Sequence, residues 1–155
     1  MNPRARIYGL DWTQASQAIV RELIARGELK NAAAHNFNFF APDPAFTMLP
    51  GAVAYTVAAL EQVGERFTEF CQYLLQQKPA LCVHIEPIAE LLDSDNLLDY
   101  LSIEYFRVRK YLWGFLPYLQ GLEAAGKIHL HAAQRTFLGG NMHVDHYSVV
   151  VWSPR

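Results

Sequence analysis

Cysteine is nearly absent: Cys71 and Cys82 are the only two in 155 residues. That excludes a disulfide framework and suits a reducing compartment. Long apolar runs are missing too. No stretch approaches the ~20 apolar residues of a membrane helix. The start, Met-Asn-Pro-Arg-Ala-Arg-Ile-Tyr, has no apolar segment of signal-peptide length before Asp11 and Gln14. Charge of one sign is not in excess either. Thirteen Lys and Arg face fifteen Asp and Glu, a formal net charge of −2. A nucleic-acid binder relying on a broad basic face is thereby disfavoured. The expectation is a cytoplasmic protein with neither a membrane nor a nucleic-acid partner. Glycine is sparse in one particular way. The nine glycines include no G-x-G, and the one adjacent pair is Gly139-Gly140. A turn that brings bare backbone against a cofactor therefore has no sequence to form it.

What remains is apolar. Hydrophobic residues make up 52% of the chain, which excludes disorder. The length suits one domain, residues 1–155, burying about two-thirds of its unfolded surface. Arg6–Leu10 is a short apolar-rich strand ending on Asp11, and Thr13 offers an N-cap oxygen to a helix. Ala15, Ile19 and Leu23 recur at helical spacing with Val20 and Ile24 beside them, and Gly27 ends the helix. Asn36–Ala41 alternates polar and aromatic residues, the period of a strand, and Pro42-Asp43-Pro44 stops it. Ala52–Ala58, after the Pro50-Gly51 turn, reads as a strand buried on both faces.

Further along, Arg66–Gln77 is an amphipathic helix with Phe67, Phe70, Cys71, Leu74 and Leu75 on one face. Leu81–Ile85 is a strand closed by Glu86-Pro87. Asp93 or Ser94 can cap a long helix, Leu97–Leu116, on which Leu98, Leu101, Tyr105, Val108, Leu112 and Phe115 form a stripe. Gly114 and Pro117 are placed to break it. Tyr118–Ala125 is a shorter helix. Lys127–Phe137 and Tyr147–Trp152 read as an antiparallel hairpin. Strands alternating with helices indicate an α/β sheet with mostly parallel pairing.

Three constellations could carry chemistry. Asp11 sits at the carboxyl end of the first strand, where open α/β sheets bind ligands, and could accept from both hydroxyls of a ribose. It could equally be a turn residue or a helix cap. Asp43, between two prolines, could accept from an exocyclic amine or serve the turn alone. His129 and His131 point to one face of a strand, and His143 and His146 follow in the loop with Asp145. Such a set could bind zinc or iron, but no H-E-x-x-H or cysteine pair accompanies it, so no metal is expected. His143 or His146 could instead act as a general base near an acceptor. Cys71 and Cys82 fall on core faces without a basic partner and read as packing residues.

Taken in order, five segments resemble the class I S-adenosylmethionine-dependent methyltransferases. Ile7-Tyr8-Gly9-Leu10-Asp11-Trp12-Thr13-Gln14-Ala15 looks like that family's second strand and ribose-binding acid. Phe37-Asn38-Phe39-Phe40-Ala41-Pro42-Asp43 looks like the third strand with its adenine-side acid. Val53–Val63 is similar to the fourth strand and the segment opening the next helix. Leu81–Pro87 looks like the fifth strand with its trailing Glu-Pro, and His146–Trp152 resembles the last strand.

The resemblance implies a Rossmann-like methyltransferase sheet, mostly parallel with a C-terminal antiparallel hairpin, in which the first strand and helix are missing and the chain is N-terminally truncated. It implies S-adenosylmethionine as cofactor if the donor site is complete. Asp11, Trp12, Asp43, Tyr55 and Thr56 would lie on the donor, and Glu86, Tyr105, His143 and His146 on the acceptor. The function implied is methyl transfer to a small-molecule acceptor, by this chain or by a longer enzyme of which it is the C-terminal portion. A donor-deficient association module without catalysis, or a histidine-based metal-binding domain, are the alternatives. A homo-oligomer could cover the gap left by the missing strand.

Overall fold

The computed structural model describes residues 5–138 and 147–155. The single domain expected from the length is organised as two compact units, one up to Asp43 and one from Pro44 on.

The first unit is a strand–helix–strand crossover. β1 (Ile7–Asp11) and β2 (Ala32–Asn36) pair in parallel, from Ile7 opposite Ala32 to Asp11 opposite Asn36. α1 (Gln14–Ala25) joins them, as parallel pairing requires a long connection. Thr13 caps α1 by accepting the Ser16 N–H at 3.3 Å, and Gly27 ends it at φ +74°, both as the sequence suggests. The inward face of α1 differs from the expected stripe. Gln17 is buried, Val20, Leu23 and Ile24 are partly buried, and Ala15 and Ile19 face outward. Gln17 is tolerated inside because its amide donates to the Asp11 carbonyl at 3.2 Å.

β2 also departs from expectation, lying four residues before the predicted start at Asn36. The aromatic segment after it folds into a turn. Asn38 accepts the Phe40 N–H with its side chain and the Ala41 N–H with its carbonyl. This local bonding competes with a strand ladder, and the polar–aromatic alternation does not register it.

The second unit is built on a four-stranded sheet in the order β3 (Val53–Val57), β4 (Leu81–Glu86), β6 (Tyr147–Pro154), β5 (Ile128–Leu138). β3 and β4 are parallel, and β6 runs antiparallel to both β4 and β5. The hairpin is as expected, but among the described residues parallel and antiparallel pairings are equal in number, so the pairing there is not mostly parallel. β3 is corrected as well. It is an edge strand, with Val53, Tyr55 and Val57 exposed at 53%, 66% and 51% and Thr56 buried. The segment Gly139-Gly140-Asn141 lies outside the described residues.

α2 (Thr68–Gln77) and α4 (Phe115–Ala124) supply Phe70, Leu74, Phe115 and Leu119 to a core that meets Cys82, Val150 and Trp152 of the sheet. Each fully buried side chain of this size contributes about 2 kcal/mol. α3 (Leu97–Arg109) is capped by Asn96, not Asp93 or Ser94: its side chain accepts the Leu98 and Asp99 N–H groups. The helix ends at Lys110, φ +55°, well before Gly114. Gly114, φ +77°, is instead the N-cap of α4. Pro117 sits in that helix's first turn, where a missing N–H costs nothing.

The expected stripe on α3 is inverted. Asp99, Ser102 and Phe106 face inward, while Leu98, Leu101, Tyr105 and Val108 are exposed. No helix among the described residues is long and apolar enough to cross a membrane.

Candidate functional site

In the first unit the two strands end together. The Phe37 N–H donates to the Asp11 carbonyl at 3.0 Å, and the Asn36 amide donates to the Trp12 carbonyl at 3.2 Å. The Asp11 carboxylate accepts the Thr13 N–H at 2.6 Å. Partial burial pulls its pKa upward, but hydrogen bonds from Thr13 and Ser16 outweigh this and hold it below the usual range. Asp11 is therefore ionised at neutral pH and also stiffens the turn into α1. Trp12, next in sequence, is 67% exposed. Asp43 stands 3.5 Å from His35 Nε2, both partly exposed.

In the second unit the carboxyl ends of β3 and β4 form a buried polar chain. The His84 ring has no exposed surface. Its Nε2 accepts from the Trp152 indole N–H at 3.0 Å. Indole is only a donor, so the imidazole proton resides on Nδ1 and is donated to the Thr56 hydroxyl, 3.0 Å away. The Thr56 hydroxyl in turn bonds the Glu86 carboxylate. Glu86, fully buried, accepts the N–H groups of Ala59 and Leu60 on one oxygen and of Glu61 on the other, at 3.0–3.2 Å. Burial pushes its pKa up, and these four donors offset part of that rise. The result is a clamp on the turn Leu60–Val63 that follows β3, where Ala58 adopts φ +50°.

Of the residues singled out from sequence, the first unit brings Asp11 and Trp12 together at one strand end, with Asp43 3.5 Å from His35. Thr56 and Glu86 are joined to each other through the buried chain, whereas Tyr55 points outward from β3 at 66% exposure. Tyr105 is half-exposed and meets Phe106 and Tyr111 edge-on at 6.3 and 6.0 Å. His129 and His131 are adjacent, with ring centroids 4.5 Å apart. His129 Nδ1 lies 3.3 Å from Glu123, and His131 bonds the Ser153 hydroxyl. His143 and His146 lie outside the described residues. Among the described residues no group of three or more His, Cys, Asp or Glu is disposed to hold a metal.

Sequence reasoning passed over two features. His84 and Trp152 looked like ordinary strand residues, and their pairing across 68 positions has no local signal. Asp99 of α3 forms a bidentate pair with Arg135 of β5 at 2.6 and 2.8 Å. Its burial raises the pKa, but the Asp93 N–H and Arg135 outweigh that and keep it low.

No protein-family model and no curated sequence matches the chain. Solved structures do. The methyltransferase domain of bacterial CtHen1-C superposes at TM-score 0.62 with 12% identity, over 96% of this chain and 77% of that one. LepI in complex with SAM superposes at 0.58 with 15% identity, over 99% of this chain and 37% of that one. A protein described as a pericyclic reaction enzyme superposes at 0.55 with 13% identity, over 99% and 44%. The chain thus spans less than half the length of the last two. It has a class I S-adenosylmethionine-dependent methyltransferase-like fold. Among the described residues, β1 pairs only with β2, and β3 only with β4.

Proposed function

We propose that this chain holds the adenosyl part of S-adenosylmethionine and serves methyl transfer to a small-molecule acceptor, alone or as the carboxyl-terminal portion of a longer enzyme. The observation that carries this reading is Asp11: an ionised carboxylate at the carboxyl end of a parallel strand, with an exposed indole beside it, on a fold shared with methyltransferases. These residues fit an adenosyl group. Asp11 accepts from the ribose hydroxyls, Trp12 packs against the base or sugar, and Asp43 accepts from the adenine amine. The methionine end is not matched, because no G-x-G turn exists in the sequence to approach it.

The donor supplies an electrophilic methyl, so the protein's part is mainly positioning. Tyr55 is the accessible member of the Tyr55–Thr56 pair, while Thr56 and Glu86 act by fixing the turn after β3. His143 and His146 are assigned to the acceptor. The small net charge supports a small-molecule acceptor over a polyanion.

Calorimetry with S-adenosylhomocysteine tests the reading. Wild-type protein is expected to bind, and Asp11→Ala to bind at least about tenfold more weakly, the loss of a charge-assisted hydrogen bond. Asp11→Asn, which keeps the turn bond to Thr13, separates charge from local folding. Folded wild-type protein that gives no heat at millimolar ligand contradicts it. The exposed face of β3 then favours the second reading, an association module without catalysis.

A further inference from the structure

We propose that two copies of this chain associate through α3, packed antiparallel about a two-fold axis. The observation is the inversion of this helix. Its inward face is polar at two of three buried positions, Asp99 and Ser102, and both are satisfied: Asp99 by Arg135 and the Asp93 N–H, Ser102 by the Leu98 carbonyl. The outward face carries the hydrophobic residues. Leu97 is 73% exposed, Leu98 43%, Tyr100 47%, Leu101 47%, Tyr105 39% and Val108 78%. Leu97, Leu101, Tyr105 and Val108 step by four, four and three, a continuous seam for a second helix. These adjacent side chains form a contiguous exposed apolar patch, the kind that marks a protein contact, unlike the scattered single residues normal on a monomer.

Charge selects the occupant and its direction. The entry to α3 is acidic, with Asp93 and Asp95 exposed, and its exit is basic, with Arg107, Arg109 and Lys110 exposed. Arg107 is already engaged by Glu104 and lies over Trp113, and Arg109 lies over Tyr111. Among the described residues Lys110, exposed at the helix exit, makes no ion pair. A second copy laid antiparallel sets Asp95 opposite the partner's Lys110 and Leu97 opposite the partner's Val108. Leu101 falls beside the axis, level with the partner's Glu104. Antiparallel helix dipoles add to the attraction, whereas a parallel pair would bring acid to acid and base to base. One surface thus complements itself, as an isologous interface requires.

Sedimentation equilibrium of the whole chain tests this. Wild-type protein is expected at twice the 17.6 kDa chain mass at micromolar concentration. Val108→Glu, on a residue that supports no core, is expected to weaken the dimer by roughly tenfold or more with unchanged thermal unfolding of the monomer. Lys110→Glu and Asp95→Lys are each expected to weaken it, and the double exchange to restore it, because each acid then meets a base again. A wild-type monomer at 100 micromolar overturns the proposal. So does a dimer indifferent to Val108→Glu, which would place the contact elsewhere, such as the edge of β3, or a double exchange that fails to restore association.

Discussion

His84 is the residue whose chemistry is most constrained. Burial pushes its pKa down to about 3, so it is neutral in the folded state across the physiological range. In the unfolded chain it titrates near 6.5. Because the unfolded state binds the proton first, stability falls as pH drops below about 6.5, by about 2 kcal/mol from this group between pH 8 and pH 5. Glu86 runs the other way: its raised pKa means stability is lost as pH rises from 4.5 through the folded value.

The imidazole itself separates the two effects. Its ¹⁵N resonances are expected to stay those of an Nδ1-protonated neutral ring from pH 8 to pH 5. A midpoint near 6.5 would contradict the buried chain Trp152–His84–Thr56–Glu86. At this scale Asp11 and Trp12 were legible in the sequence because their neighbours in the chain are their neighbours in space. The His84–Trp152 bond was not, since each residue alone reads as strand filler.

At the scale of elements, α3 and β2 show where periodicity misleads. A 3–4 stripe records that one helix face is apolar; it does not say which way that face turns. On α3 the direction is set by Asp99, whose bidentate bond to Arg135 fastens the polar side to β5. Breaking a buried pair leaves an unpaired charge. Asp99→Asn is therefore expected to cost about 3 kcal/mol in urea unfolding, more than substitution of any outward leucine costs the folded monomer. A loss below about 0.5 kcal/mol would mean that something other than this pair orients the helix.

The ends of α1 were readable because capping chemistry is local, with Thr13 at one end and Gly27 at the other. β2 was misplaced for the converse reason. Its alanines carry no strand signature and are recruited by pairing with β1, while the strand-like segment beyond them is turned by Asn38.

For the whole molecule, the order of five strand-like segments was enough to point to the methyltransferase-like fold, although two of the strands differ from the sequence reading in place or burial. Order survives such local errors because it depends on which segments exist, not on where each begins. Fold does not fix chemistry, and the neighbours include a protein described as a pericyclic reaction enzyme as well as methyltransferases. The functional reading rests instead on Asp11 and Trp12 at the end of β1. The direct measurement is an adenosine titration followed by amide and indole resonances of ¹⁵N-labelled protein. The expected result is saturable shifts at Asp11, Trp12, Thr13 and Asn36 and at the Trp12 indole, abolished by Asp11→Ala. Shifts absent from these residues at millimolar adenosine, with the protein folded, would contradict an adenosyl site at this strand end.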